Sequence, residues 1–360
     1  MGPGGSGCTR CGRREPGRPG GHGSAARAGR ALRATAGRRA ASGRPDRRSE
    51  DGALSGGPSD AREPAAERNH VVLRYSAAGR LLGRKAFGAT PLTGLAFAQG
   101  KVYVLNFGAS KLQRLDAAFD ARTAVEDVAT FPALPKPAPA PRQVTNPDQS
   151  TDTIAFGSSG FAGINGMVFD AEGNLYVSDS FQAAIYRIDD ATRCSPPCAV
   201  RTVVQDPLLA TANALPFGAN GLALGADGRT LFITNAGDGR LLRMPLPSGP
   251  VSVVAESLPG ADGLLAHGGL FWVAANQADL VLGIDAGGRI RVRAGGFERI
   301  GANGAPRGLL FPASTAVSGP WMVVTNLALP ITPAQGDEWE ESVTRWNLVR
   351  FKLPSSAPGR

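Results

Sequence analysis

The sequence predicts an all-β protein folded as a β-propeller, and three observations support this. Gly and Pro are abundant, with 48 and 28 residues among 360, which favours many turns over long helices. Short apolar segments joined by hairpin turns run through most of the chain. Several of these segments repeat one motif: a residue followed by Gly, then an apolar run, a turn and a second apolar run.

The repeated motif occurs five times between residues 92 and 326. The copies are LTGLAFAQGKVYVLN at 92–106, INGMVFDAEGNLYVSD at 164–179, ANGLALGADGRTLFITN at 219–235, ADGLLAHGGLFWVAAN at 261–276 and PRGLLFPASTAVSGPWMVVTN at 306–326. The residues before the glycines are Thr93, Asn165, Asn220, Asp262 and Arg307. We expect these five residues to occupy equivalent places in the repeat.

After most copies a third and a fourth strand-like segment follow, so each unit reads as four antiparallel strands in about 40–50 residues. A single four-stranded sheet cannot bury both faces, whereas sheets stacked radially can. We therefore expect six four-stranded blades over residues 70–354, of which five are clear. The segment 70–87 either completes the last blade or is half of a sixth blade.

Residues 1–69 are predicted to be a disordered extension rich in Arg, Gly and Ala, and we expect them to be a misassigned start. They hold 14 Arg, no Lys and 7 acids, a charge of +7, and the other 291 residues hold 25 basic and 23 acidic residues, a charge of +2. The body is therefore nearly neutral, which argues against specific nucleic-acid binding. Residues 355–360 are a short tail.

The chain has no apolar stretch of transmembrane length, and its N-terminus lacks the apolar core of a signal peptide. The loop CSPPC places Cys194 and Cys198 four residues apart. Two interpretations fit this spacing, a local disulfide or two free thiols. A disulfide suits a periplasmic or secreted protein whose true leader was lost. The compartment and the oligomeric state stay open.

The three central copies of the motif resemble the inner strands of the SMP-30/gluconolactonase/LRE-like family, and the resemblance spans roughly residues 90–330. These six-bladed propellers include calcium- or zinc-dependent lactonases and organophosphate hydrolases. The resemblance implies that Asn165, Asn220 and Asp262 bind a divalent metal, calcium or zinc, and that Asp262 is the catalytic base. The chemistry agrees, because inner-strand oxygens converge near the axis of a propeller and a hard cation needs oxygen ligands.

Two positions depart from the family pattern. Thr93 takes the place of a Glu that supplies a metal ligand in the family's first blade, which leaves fewer charged ligands for a metal. Arg307 is expected at the fifth equivalent place, where a guanidinium would hold a carboxylate or a phosphate. We therefore regard Thr93 and Arg307 as candidate substrate-binding residues.

The second strands also end in polar residues. These are Asn106, Asp179, Asn235, Asn276 and Asn326. Asn and Asp end strands well because they bond their own backbone in the following turn. We expect a structural role first and a substrate-facing role second, with Asn106 and Asp179 as the candidate substrate contacts.

Two functions are consistent with these features. The first is a metal-dependent hydrolase of a lactone or related small ester, with its ligand in the central channel. The second is a non-catalytic propeller that binds a small anion or a protein partner. The Pro-rich insertion at 131–160 is predicted to be a lid over the channel. No Ser-His-Asp spacing, P-loop or dinucleotide fingerprint is present.

Overall fold

The computed structural model describes most of the chain from residue 69 onwards. The described residues are 69–76, 78–135, 149, 161–211, 213, 215–332 and 336–353, with the backbone alone at 52–55, 142–145 and 151–154. They belong to one compact unit, Ala31–Arg360. The predicted tail 355–360 and, apart from 52–55 and 69, the predicted extension 1–69 lie outside the described residues.

Four antiparallel sheets have four strands each, in chain order from the inner strand outwards. The first contains β4 (Leu92–Ala98), β5 (Lys101–Asn106), β6 (Lys111–Asp116) and β7 (Glu126–Thr130). The second contains β10 (Ile164–Phe169), β11 (Leu175–Asp179), β12 (Ala184–Ile188) and β13 (Arg201–Gln205). The third contains β14 (Ala219–Leu224), β15 (Thr230–Asn235), β16 (Arg240–Pro245) and β17 (Ser252–Ala255). The fourth contains β18 (Ala261–His267), β19 (Leu270–Ala275), β20 (Leu280–Ile284) and β21 (Ile290–Gly295).

A fifth sheet follows with three strands, β24 (Pro312–Ser318), β25 (Trp321–Asn326) and β26 (Leu348–Lys352). The inner strands β4, β10, β14, β18 and β24 contact one another in that order. Each repeat of the sequence therefore forms one blade. The predicted all-β propeller with four-stranded antiparallel blades is confirmed, and five blades are defined by these sheets.

The segment 70–87 does not complete the last blade. It contains β2 (Val71–Tyr75) and β3 (Leu81–Ala86), which pair with β1 (Gly52–Ser55) in a separate sheet, and β1 contacts β4. The remaining strands form two separate hairpins. They are β8 (Arg142–Thr145) with β9 (Thr151–Ile154), and β22 (Phe297–Ile300) with β23 (Pro306–Gly308).

The apolar faces of successive sheets pack against each other and form the core. Tyr103 and Tyr186 lie between the first and second blades, and Leu231 lies between the second and third. Phe232 and Phe271 stack with ring centroids 3.9 Å apart between the third and fourth. Each such side chain stabilises the fold by about 1.5–3 kcal/mol when fully buried. Burial between the sheets thus fixes the inner strands side by side.

Glycines allow neighbouring inner strands to approach closely. A Cβ atom placed on Gly166 would lie 2.2 Å from the main-chain oxygen of Asn220, and one on Gly94 would lie 2.6 Å from that of Asn165. Gly221 meets the backbone at Asp262 in the same way, at 2.7 Å from its oxygen. Only a residue without a Cβ fits these places. The glycine of the repeated motif is therefore required by strand-to-strand contact.

The loop between β12 and β13 is closed by a disulfide between Cys194 and Cys198, whose Cα atoms are 5.9 Å apart. This agrees with the first of the two interpretations of CSPPC. Cys198 is buried against the core of the first two blades. The bridge therefore fastens this loop to the interior.

The start of the insertion 131–160 is attached to the second blade. Gln182 donates from Nε2 to the Pro132 carbonyl at 2.9 Å and accepts at Oε1 from the Leu134 amide at 2.6 Å. Residues 136–141, 146–148, 150 and 155–160 lie outside the described residues. The role of the insertion as a lid stays a prediction. Among the described residues, no helix is long and apolar enough to cross a membrane.

Candidate functional site

Four of the five predicted polar positions share one place in the fold. Thr93, Asn165, Asn220 and Asp262 are each the second residue of an inner strand. In each inner strand the first residue pairs with the second strand of the blade. The next two residues, which are the polar residue and its glycine, do not pair, and pairing resumes at the fourth residue. Because the inner strands lie side by side, these four residues are brought to the same end of the channel.

The Asp262 carboxyl group is held by two amide side chains. Asn276 donates from Nδ2 to Oδ2 of Asp262 at 3.3 Å, and the Asn220 side chain donates a second hydrogen bond. No ion pair joins this carboxyl to a described Lys or Arg. The residue keeps some exposure to the channel, but desolvation of its carboxyl outweighs the two hydrogen bonds and raises its pKa to about 7.

The two Asn residues of the inner strands keep their side-chain oxygens unengaged. Asn165 donates from Nδ2 to the Ser180 hydroxyl at 3.1 Å, and Asn220 uses its amide group to bond Asp262. Neither Oδ1 accepts a hydrogen bond from a described residue. Two amide oxygens and one carboxylate are therefore available at this end of the channel.

Thr93 makes a hydrogen bond between two inner strands. Its hydroxyl donates to the Ile164 carbonyl on the neighbouring inner strand at 2.9 Å. The equivalence of Thr93 with the family's first-blade Glu and its substrate-binding role stay predictions. Among the described inner strands, Asp262 is the one acidic residue.

Arg307 does not occupy the fifth equivalent place, so this prediction is wrong. It lies in β23, which pairs with β22, and the residue is exposed. The fifth inner strand begins at Pro312, which pairs with Asn326 as Leu92 pairs with Asn106. Ala313 therefore holds the place that we predicted for Arg307. The register of the fifth blade therefore does not place the Arg307 guanidinium beside the other four residues.

The ends of the second strands have the structural role that was expected first. Asp179 is fully buried, and its carboxylate accepts from the backbone amides of Gly163, Phe181 and Gln182 at 2.9–3.0 Å. It also accepts from the Tyr186 hydroxyl at 2.8 Å. Burial and the Asp179 charge raise the pKa of Tyr186, which keeps this phenol protonated.

Asn106 caps the turn after its own strand by accepting from the Ala109 amide at 3.2 Å. Asn235 does the same with the Asp238 amide at 3.0 Å. Asn326 accepts from the Leu310 amide at 3.0 Å. The substrate-binding role of Asn106 and Asp179 stays a prediction.

Asn276 departs from this ring by one residue. The second strand of the fourth blade ends at Ala275, which pairs with Ala261, so Asn276 follows the strand. The shift places its amide against Asp262 and leaves its Oδ1 buried without a hydrogen-bond partner in the described part of the chain. The predicted capping role is therefore replaced by a contact with the site.

Hydroxyl groups next to the strand-end residues were not predicted, yet they bond to the neighbouring inner strands. Ser178 donates to the main-chain oxygen of Asn220, and Thr234 donates to that of Asp262. Ser180 donates to the Ala219 carbonyl at 2.7 Å. The sequence signal was a Ser or Thr before the final polar residue of the strand, in VSD and ITN.

A separate acidic cluster lies between β25 and β26. Asp337, Glu338 and Glu341 have carboxylate oxygens within 4.8 Å of one another. These carboxylates bond to the surrounding loop, for example Glu338 to the Ile331 amide at 2.8 Å. Hydrogen bonds within the loop therefore hold these carboxylates near one another.

The fold is similar to those of two solved propellers. Luciferin-regenerating enzyme aligns with a TM-score of 0.52 at 14% identity, over 82% of this chain and 90% of that protein. Regucalcin from Agrobacterium tumefaciens, described as a calcium-binding protein, aligns with a TM-score of 0.50 at 17% identity, over 83% and 89%. Both are SMP-30/gluconolactonase-like propellers, so the resemblance inferred from the strand motifs is confirmed for the fold.

No protein-family model and no curated protein matches the sequence.

Proposed function

We propose that this chain is a metal-dependent hydrolase of a lactone or related small ester, which acts at the channel end formed by Asn165, Asn220 and Asp262. One observation supports this more than any other. The Asp262 carboxyl is desolvated, and its hydrogen-bond partners are two neutral amides. A carboxylate in such a place normally pairs with a cation or binds a metal. A divalent ion would supply the missing positive charge.

The donor atoms fit a hard cation. Asn165 and Asn220 offer unengaged amide oxygens, and Asp262 offers a carboxylate. None of the three is a His or Cys, which are the usual ligands of zinc. Oxygen donors suit calcium, whose coordination is completed by water molecules. We therefore propose calcium rather than zinc. The low charge of the set predicts weak affinity.

The bound ion would act as a Lewis acid on the substrate carbonyl. Asp262 accepts a proton from the water that attacks the carbonyl carbon. The bond between this carbon and the ring oxygen breaks, and Asp262 returns the proton to the leaving alkoxide, so that a hydroxy acid is released. Asn220 and Asn276 hold the carboxylate in place for both transfers.

The non-catalytic alternative is weakened by the position of Arg307. It was based on a guanidinium at the channel, and the inner-strand register has Ala313 there instead. A ligand of negative charge would also meet the Asp262 carboxylate once this group has ionised. Binding of a neutral molecule without turnover is one outcome of the experiment below.

The proposal includes a six-bladed ring. The innermost strand β1 contacts β4, as each other inner strand contacts its neighbour. The sheet of β1 to β3 would then be the sixth blade, and it would precede the other five in the chain. Deletion of residues 1–69 tests this idea, because loss of an inner strand should lower the melting temperature. An unchanged melting temperature would contradict it.

The test of function is an assay of hydrolysis with a panel of lactones and small esters in millimolar calcium. Release of acid measures the rate. We expect turnover that is lost on chelation and that falls at least about 100-fold in Asp262→Asn. Asp285→Asn is the control, because Asp285 caps an exposed turn. Binding of a panel member without turnover would favour the non-catalytic function, and activity that survives Asp262→Asn would refute the assignment.

A further inference from the structure

Four phenylalanine side chains form one aromatic cluster. Ring centroids are 5.5 Å apart for Phe107 and Phe161 and 5.4 Å apart for Phe107 and Phe181. They are 6.1 Å apart for Phe161 and Phe181 and 5.6 Å apart for Phe181 and Phe217. Phe181 touches the other three rings and is the centre of the cluster.

The cluster is not part of the core. All four rings are half-buried, and none belongs to the apolar clusters between the described sheets. Core phenylalanines of this chain, such as Phe119 and Phe271, are almost fully buried. Apolar side chains that gather at one place and stay partly exposed are a feature of ligand-binding surfaces.

The chain segments place the cluster at the channel end that carries the polar site. Phe107 follows the end of β5, where Asn106 pairs with Leu92 beside Thr93. Phe217 lies two residues before β14 begins, and Phe161 lies three residues before β10 begins. All four phenylalanines therefore come from the connections where inner strands start and second strands end.

Direct contacts connect the cluster to the polar residues. Ser180, next to Phe181, accepts the hydrogen bond from Asn165. The ring of Phe181 also packs on Gly163, where an added Cβ would meet it at 2.6 Å. The Gly218 amide, next to Phe217, donates to the Ser180 carbonyl at 3.1 Å. The central residue of the cluster, Phe181, is thus the chain neighbour of a residue that bonds to the proposed ligand Asn165.

We propose that Phe107, Phe161, Phe181 and Phe217 form an apolar subsite, so that the substrate is an ester or lactone with an aryl or alkyl group and not a polyhydroxylated sugar lactone. Apolar surface of a substrate is removed from water against such rings, which favours binding. Sugar hydroxyls gain no hydrogen bond from phenylalanine, and their desolvation opposes binding. This inference depends on the hydrolase function proposed above for its substrate class.

The test compares two lactones of different polarity, dihydrocoumarin and glucono-δ-lactone, with the full chain in calcium. Phe181→Ala and Phe217→Ala are expected to lower kcat/KM for dihydrocoumarin at least about tenfold and to leave glucono-δ-lactone within about twofold. Phe97→Ala is the control, since this exposed ring lies near the other end of β4. Thermal unfolding verifies that each variant folds.

A wild-type preference for glucono-δ-lactone, or an equal loss for both lactones, would overturn the apolar subsite and leave the hydrolase intact. If neither lactone is hydrolysed, chroman is the deciding probe, because it has the rings of dihydrocoumarin without the carbonyl. A saturation-transfer signal between chroman and the wild type that Phe181→Ala abolishes would support the subsite while the hydrolase fails. Absence of this signal would overturn the subsite.

Discussion

Asn276 and Asp262 are joined by a hydrogen bond of 3.3 Å between Nδ2 and Oδ2, although Asn276 follows the second strand of the fourth blade and lies 14 positions after Asp262. The side-chain oxygen of Asn276, Oδ1, is buried and has no hydrogen-bond partner among the described residues. Its amide is therefore held by the bond to Asp262. Asn276 is a positioning residue for the one acid of the described inner strands.

Replacement of Asn276 by Leu should raise the pKa of Asp262 by about one unit, because a hydrogen bond to the ionised form is lost. The measurement is a carbon-13 NMR titration of the Asp carboxyl signals. Asn326→Leu is the matched control, since Asn326 is equally buried but bonds to Asn347 and the Gly308 carbonyl. A shift of the Asp262 signal in both variants would show a general effect of destabilisation.

In the protein without metal, the contribution of Asp262 to the free energy of unfolding should fall as the pH rises from 4 to 7. Burial raises the pKa of Asp262 in the folded protein to about 7, from an ordinary value of 3.8, so the folded protein holds a proton that the unfolded chain has released. Stability from this group is complete below the unfolded value and is lost as the pH rises through the folded one. The difference is on the order of 4 kcal/mol.

Urea unfolding in chelator at several pH values measures this, as the difference between the wild type and Asp262→Asn. Asp285→Asn gives the opposite sign, because hydrogen bonds from the Arg289 amide and Arg291 lower the pKa of Asp285. A wild type and Asp262→Asn with parallel pH profiles would contradict the burial of this carboxyl.

Asp179→Ala should destabilise the fold by about 4 kcal/mol, since several buried donors, the Tyr186 hydroxyl among them, lose their acceptor. Asp227→Ala is the control and should cost about 1 kcal/mol, because Asp227 caps an exposed turn. Unfolding in urea checks both. An unchanged stability with a raised KM would instead support the substrate-binding role of Asp179.

Gly166→Ala should destabilise the fold by about 3 kcal/mol, because the new methyl group would lie 2.2 Å from the Asn220 oxygen and force two inner strands apart. Gly287→Ala, where the nearest atom is a side-chain carboxylate oxygen at 3.3 Å in an exposed turn, should change stability by less than about 0.5 kcal/mol. Thermal unfolding distinguishes the two. Equal melting temperatures would refute the close approach of the strands.

The sequence alone was sufficient for the propeller and for the alignment of Asn165, Asn220 and Asp262. Both depend on local chemistry that the repeat displays directly, namely a glycine at the strand contact and hairpin turns between apolar runs. The disulfide at Cys194 and Cys198 was one of two possibilities, because a spacing of four does not fix the distance between thiols.

The errors arose where the fifth and fourth blades depart from the motif. The tripeptide PRG at 306–308 imitates the motif, but the inner strand starts at Pro312 and has Ala313 and Ser314 where the other blades have a polar residue and Gly. In the fourth blade the second strand ends one residue early, at Ala275, which turns Asn276 towards Asp262. Such shifts depend on the hydrogen-bond register between two strands, and the sequence motif does not reveal this register.

The aromatic cluster was also beyond sequence reasoning. Phe107, Phe181 and Phe217 lie in connections of three different blades, and Phe161 follows the insertion. Each is an isolated aromatic residue between strands, and only the packing of successive sheets brings each ring within 6.1 Å of the Phe181 ring.

Calcium titration of the full chain by calorimetry tests the proposed metal centre most directly. We expect one weak site that strengthens as the pH rises through 7, releases protons below that pH and disappears in Asp262→Asn. Because Asp337, Glu338 and Glu341 could also bind calcium, Glu338→Gln is measured in parallel and should keep the site. Failure to bind at millimolar calcium, or binding that survives Asp262→Asn and is lost in Glu338→Gln, would contradict the proposal.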